Sequence, residues 1–154
     1  MASPEQRLEE LGISLPQPVR PMAAYVPTVR SGEMVYVSGQ VPIVDGKPAY
    51  LGRLGADGLS VEAGVEAARR CAINLLAALK AELGELSRIH RVVKLTGFVA
   101  SAPDFYDQPK VINGASELLV EVFGDAGRHA RSAVGMAALP LGVPVEVEAI
   151  VEAP

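Results

Sequence analysis

The sequence predicts a single α+β domain in which two helices cover one face of a mixed β-sheet. Three observations predict it. The 154 residues suit one domain better than two. One stretch, Val61 to Leu83, repeats apolar residues at steps of three and four. Around it, β-branched runs and turn dipeptides follow the order strands, helix, strand, helix, two strands.

Ser3-Pro4-Glu5-Gln6 reads as a helix N-cap with proline at the first helical position, followed by Leu8, Leu11 and a stop at Gly12. Pro16, Pro18 and Pro21 then remove backbone donors and bias the chain to extended geometry. Residues 1–21 are therefore expected to form an N-terminal arm with a short helix, and residues 22–154 a single domain. Tyr25 to Arg30 and Glu33 to Ser38 read as a β-hairpin across Ser31-Gly32, closed by the charges of Arg30 and Glu33. Val41 to Val44 runs into a second turn at Asp45-Gly46, followed by a loop with Gly52, Gly55 and Gly58.

Ser60 caps the long amphipathic helix, in which Val65, Ala68, Ala72, Leu75, Leu76 and Leu79 form the apolar stripe, and Gly84 ends it. Glu62, Glu66, Arg69 and Arg70 fall on its wet side. Ile89 to Ala100 is a buried strand, Asp107-Gln108-Pro109 opens a second helix that stops at Gly124, and Arg131 to Ala138 and Val145 to Val151 are the last strands. The strand ending at Ala100 and the one opening at Arg131, joined by a helix, should be parallel with a right-handed connection. The sheet face away from the helices is expected to carry Ala133, Gly135 and Ala137, and to receive other subunits.

Charge and composition exclude several function classes. Asp and Glu number 18 against 14 Lys and Arg, a formal net charge of -4, so the overall field repels phosphate backbones and no nucleic-acid partner is expected. The hydrophobic fraction is 49% with only 5% aromatic residues. A domain this small cannot hide that much apolar surface internally, and a homo-oligomer is expected. One cysteine, Cys71, excludes an internal disulfide and a cysteine-rich zinc site. Met1 to Gly12 carries Glu5, Arg7, Glu9 and Glu10 without an apolar block, unlike a signal or transit peptide, and the uncharged run Ser132 to Val145 is too short to span a bilayer. No membrane partner and a cytoplasmic location are expected.

Two positions combine a charge with an apolar strand. Arg131 opens a strand with no other charge, and alternation sets it with Ala133 and Gly135, where a guanidinium fork has room to hold a small carboxylate. On spacing alone, an arginine at a strand entrance that reaches solvent is the commoner case. Glu146 shares a face with Glu148 in Val145 to Val151. Because the chain reverses between Leu139 and Pro144, Arg131 and Glu146 are expected to be offset by roughly 20 Å along the strands, too far for one pocket within a subunit. His90 and His129 are too far apart in sequence to define a metal pair, and solvent or structural roles are expected of them.

Tyr25-Val26, Val37-Ser38-Gly39-Gln40-Val41-Pro42, Val111-Ile112-Asn113-Gly114, Arg131-Ser132-Ala133-Val134 with Leu139-Pro140, and Val145-Glu146-Val147-Glu148-Ala149-Ile150 follow one another in an order and spacing that resemble the Rid/YjgF family of reactive-intermediate deaminases. The resemblance runs from about Tyr25 to the C-terminus. It implies a chorismate-mutase-like α+β fold and a homotrimer with a cleft between each pair of subunits. It also implies hydrolysis of enamine or imine acids, such as 2-aminoacrylate and 2-iminopropanoate, to 2-keto acid and ammonia, with no metal or organic cofactor. By position, Arg131 would hold the substrate carboxylate, Glu146 would position or polarise the water, and Tyr25, Ser38, Gly39 and Asn113 would line the cleft. Asn113-Gly114 is poor for helix propensity, which a polar and steric reason would explain as well as a tolerated imperfection.

The chain departs from the resemblance at Ala133, where a cysteine is frequent, and in its N-terminal arm, which is similar to a longer subgroup. Cys71, beside the apolar stripe, reads as an inert buried thiol. An alternative function is a non-catalytic trimer that binds or senses a small carboxylate through the same arginine. An endoribonuclease, a label carried by some members of that family, fits the acidic composition poorly.

Overall fold

The computed structural model describes residues 2–21 and 23–154. Helix α1 (Pro4–Glu10) is capped reciprocally: the Ser3 hydroxyl accepts from the Gln6 backbone at 3.2 Å, and the Gln6 side chain accepts from the Ser3 backbone at 2.8 Å. It is more than a surface arm. Leu8 is buried in the same core as the long helices, Ile13 and Leu15 pack against that core, and Glu5 accepts from the Leu86 backbone at 2.6 Å.

The first hairpin forms from β1 (Thr28–Ser31) and β2 (Met34–Gln40). It starts later than alternation suggested, so Tyr25 and Val26 precede the strand. Arg30 does not close it against Glu33; its guanidinium donates to the Ala153 carbonyl at 2.7 Å, across from the chain end that β2 holds. The turn at Asp45-Gly46 joins two short strands, β3 (Ile43–Val44) and β4 (Lys47–Pro48), which make a separate ribbon. The glycine-rich loop after it sends Leu54 into the core and pins it with backbone bonds to Ala100 and Ala102.

Helix α2 (Val61–Leu83) begins under the Ser60 cap and ends at Gly84, with φ 83°. Strand β5 (Arg91–Ala100), helix α3 (Gln108–Phe123), β6 (Ala130–Met136) and β7 (Val145–Glu152) complete the chain. The main sheet runs β1-β2-β7-β5-β6. Only β5 and β6 are parallel, as a strand-helix-strand unit requires, and β6 is an edge. Helices α2 and α3 lie on one face, over Val35, Val37, Leu95, Val99, Val147, Ala149 and Val151. Leu75, Leu76, Leu95, Ile112 and Leu118 are fully buried, and truncating any one to Ala costs about 2–5 kcal/mol. Among the described residues, no helix is long and apolar enough to cross a membrane.

The small-residue face is not the uncovered one. Ala133 packs against the core, and a Cβ at Gly135 would come within 2.9 Å of the Gln108 side chain on α3 and 3.0 Å of the Ser101 hydroxyl. These residues are small because α3 crosses above them. Arg131 shares their parity and also turns toward α3. The face turned away from the helices carries larger side chains instead: Tyr36, Phe98, Val134, Glu146, Glu148 and Ile150.

Candidate functional site

The expected site residues fall into two groups. The first forms where β2 bulges and β7 begins. Between Val37 and Gln40 the register with β7 slips, so the Ser38-Gly39 backbone bends where Glu146 rises from β7. A Cβ on residue 39 would overlap the Glu146 carboxylate, so glycine lets that side chain lie against the backbone, and a larger residue would make the carboxylate shift. The Ser38 hydroxyl donates to the Pro27 carbonyl at 3.2 Å, which ties the bulge to the segment carrying Tyr25. Tyr25, Ser38, Gly39 and Glu146 line one groove of about 990 Å3. Pro16, Pro18, Val19 and Pro21 of the arm, and Leu141 of the turn before β7, form much of its apolar wall. The arm's part in this wall was not readable from its proline content alone.

Burial, reinforced by the neighbouring Glu148 carboxylate, raises the pKa of Glu146 above the ordinary carboxylate value. A half-buried carboxylate raised in this way is a better proton acceptor than an exposed one. Cys71 lies nearby on α2, its thiol fully buried against the Val145 carbonyl, and burial followed by the charge of Glu146 pushes its pKa well up. It is an inert packing residue, as its place beside the apolar stripe predicted.

The second group lies at the β6 edge. Arg131 does not reach into bulk solvent: its guanidinium donates to the Asn113 side-chain oxygen at 2.8 Å and to the Ser116 hydroxyl at 3.2 Å, both on α3. The unfavourable pair Asn113-Gly114 has both a polar and a steric reason. Asn113 holds the arginine, and a Cβ at Gly114 would collide with the Val65 backbone carbonyl where α3 crosses α2. Sequence reasoning missed Ser116 and gave His129 a bland role. His129 is half-buried, with Nε2 at 2.9 Å from the Ser116 hydroxyl and Nδ1 at 2.7 Å from the Gly127 carbonyl. Two spacings held the signal: Asn113 and Ser116 are one turn apart on a helix, and His129 lies two residues before Arg131 at the entrance of β6.

The two groups do not meet within one chain. Arg131 stands in the row of Leu95 and Ala149, and Glu146 in the row of Phe98 and Val134. That leaves them on opposite faces, about 10 Å apart along the strands and about 10 Å across them. The offset along the strands is half the expected one, because β5 lies between β6 and β7 and resets their register. Among the described residues, no group of three or more His, Cys, Asp or Glu side chains is gathered as a metal site.

A family model described as "YjgF/chorismate mutase-like, putative endoribonuclease" matches residues 5–152. The chain is 50% identical over 146 residues to Protein TCP17 of Trypanosoma cruzi, covering 94% of this chain and 91% of that protein. Its fold is similar to that of the protein Atu1372, of unknown function, from Agrobacterium tumefaciens, with a TM-score of 0.92 at 52% identity over 98% of this chain and 92% of that one. A more distant likeness is to TdcF of Escherichia coli with bound serine, with a TM-score of 0.63 at 25% identity over 92% of this chain and 96% of that one.

Proposed function

Because this chain belongs to the YjgF/chorismate mutase-like family, we propose that it hydrolyses small enamine or imine acids, of the 2-aminoacrylate and 2-iminopropanoate type, to 2-keto acid and ammonia. The observation that carries the reading is the division of the site. One group offers a carboxylate of raised pKa in an apolar groove, and the other offers a pre-oriented guanidinium at a sheet edge. Neither is sufficient alone. A homotrimer, in which the Arg131 edge of one subunit closes the Glu146 groove of the next, completes the site.

In that site Arg131 pairs with the substrate carboxylate, and Asn113 keeps the guanidinium in place. Glu146 holds a water beside C2 of the protonated imine and takes its proton as the oxygen adds. The proton then goes to nitrogen, the C–N bond breaks as the new hydroxyl returns its proton to Glu146, and ammonia leaves behind a keto acid. The protonated imine is already electrophilic, so proximity and electrostatics supply the rate without a metal or organic cofactor. Ala133 stands at the position where a cysteine is frequent, so no thiol takes part there.

A second reading is a trimer that binds a small carboxylate without turning it over, favoured by the serine found in the TdcF structure. A coupled assay that generates 2-aminoacrylate separates the two. Arg131→Ala is expected to lose binding and turnover together. Glu146→Gln should bind a keto acid within about twofold of wild type and lose roughly 100-fold or more in kcat. Full turnover in Glu146→Gln removes its role, and no turnover in the wild type with intact keto-acid binding leaves the binding reading.

A further inference from the structure

The hydrogen bonds around Arg131 continue past it and have one consistent direction. The Gly127 carbonyl can only accept, so Nδ1 of His129 carries a hydrogen. In the neutral ring Nε2 is then a bare acceptor, and the Ser116 hydroxyl must donate to it. That leaves the Ser116 oxygen lone pairs for the Arg131 guanidinium. The chain therefore runs Arg131 to Ser116 to His129 to the Gly127 carbonyl, each group donating to the next. Reversing any member would set two donors or two acceptors against each other.

Neutrality of the ring is favoured by its surroundings. Burial lowers the pKa of His129, the bond to Gly127 opposes this, and the Arg131 charge lowers it further. Asp125 and Arg128, on the turn that leads to His129, are paired with each other at 3.4 Å.

We propose that His129, acting through Ser116, is a positioning residue for the Arg131 guanidinium and so sets the affinity of the site for carboxylates. The inference rests on the reading that Arg131 grips the substrate. With Asn113 and Ser116 both accepting from one terminal nitrogen of the guanidinium, its remaining N–H groups are held toward the substrate side. Without the hydroxyl, Asn113 is the remaining side-chain anchor, and the group rotates among several rotamers that a carboxylate must freeze on binding.

The test measures the dissociation constant for pyruvate, as a product-like carboxylate, and KM and kcat for 2-aminoacrylate. Ser116→Ala and His129→Ala should each weaken pyruvate binding and raise KM by roughly tenfold, with kcat within about twofold. The double variant should be no worse than either single one, since both break the same chain. His129→Gln, which keeps an uncharged acceptor facing Ser116, should return affinity to within about threefold of wild type. Nitrogen-15 shifts of the His129 ring at neutral pH should report a protonated Nδ1 and a bare Nε2. A protonated Nε2 overturns the proposal. So does wild-type affinity in Ser116→Ala while Arg131→Ala has lost it, an outcome that leaves the reading of Arg131 standing. Additive losses in the double variant overturn the shared chain. Wild-type affinity in Arg131→Ala removes the reading and the proposal together.

Discussion

The Glu146 groove and the Arg131 edge are built on opposite electrostatic principles. At Glu146, a carboxylate is pressed against a glycine backbone, half-buried, beside another carboxylate. Its charge is disfavoured, and its proton affinity rises. At Arg131, the charge meets a side-chain amide and a hydroxyl, and the hydroxyl is itself held by His129. The guanidinium is comfortable and fixed. A group that must exchange protons gains from frustration, whereas one that must recognise a shape gains from satisfaction.

The largest effect expected of this division is complementation. Chains carrying Arg131→Ala and chains carrying Glu146→Gln are each expected to be nearly inactive, yet each retains the half the other lacks. Unfolded together, mixed in equal amounts and refolded, they should recover about one quarter of wild-type sites if a site joins two neighbouring subunits at random. No recovery, with trimers verified by mass, would mean that both halves act within one chain or that one of them does not act at all.

A smaller effect is expected from Gly39→Ala, which changes only the close approach. The added methyl overlaps the Glu146 carboxylate and forces it out of the bulge. Because the crowded atoms are the end of a flexible side chain, stability should change little, and the displaced carboxylate should lower kcat by roughly tenfold through lost alignment. Pyruvate binding, which rests mainly on Arg131, should fall by less than kcat does. Denaturant titration and steady-state kinetics check the two statements separately, and a variant with wild-type kcat would show that Glu146 tolerates the move.

The two regions also differ in how far the sequence disclosed them. The long helix was legible because its stripe persists from Val65 to Leu79, and the parallel pair because a strand-helix-strand unit admits little else. Asn113 stood out because Asn113-Gly114 breaks a local helix propensity for a reason that acts locally, whereas Gly39 entered only through the family resemblance. The face on which Arg131 lies was misread, since alternation divides a strand into two faces without saying which one a helix covers. The small residues Ala133 and Gly135 pointed to a close neighbour, and that neighbour is α3 rather than another subunit. His129 and Ser116 are separated by most of a connection, and no periodicity links a residue at a helix middle to one at a strand entrance. Their pairing depends on how α3 lies across the β6 edge.

The smallest expected effect tests the frustration itself. Glu148 is the neighbour whose charge adds to burial in raising the pKa of Glu146. If Glu146 acts as the carboxylate, activity falls as pH drops through that raised pKa, at a pH above the ordinary carboxylate range. Glu148→Gln removes the repulsion and leaves the burial, so the carboxylate form becomes easier to reach and the acid limb of kcat moves to lower pH. It should stop short of the ordinary value, because burial is the larger cause. Stability carries the same sign in mirror image. A carboxyl whose folded pKa is raised binds more protons folded than unfolded, so folding loses stability as pH rises from the unfolded value through the folded one. Glu148→Gln should reduce that loss, and the denaturation midpoint should fall less between mildly acidic and neutral pH. An acid limb that stays where it is in Glu148→Gln, measured beside the carbon-13 titration of the Glu146 carboxyl, would assign the limb to another group and end the account of Glu146 as the site's proton acceptor.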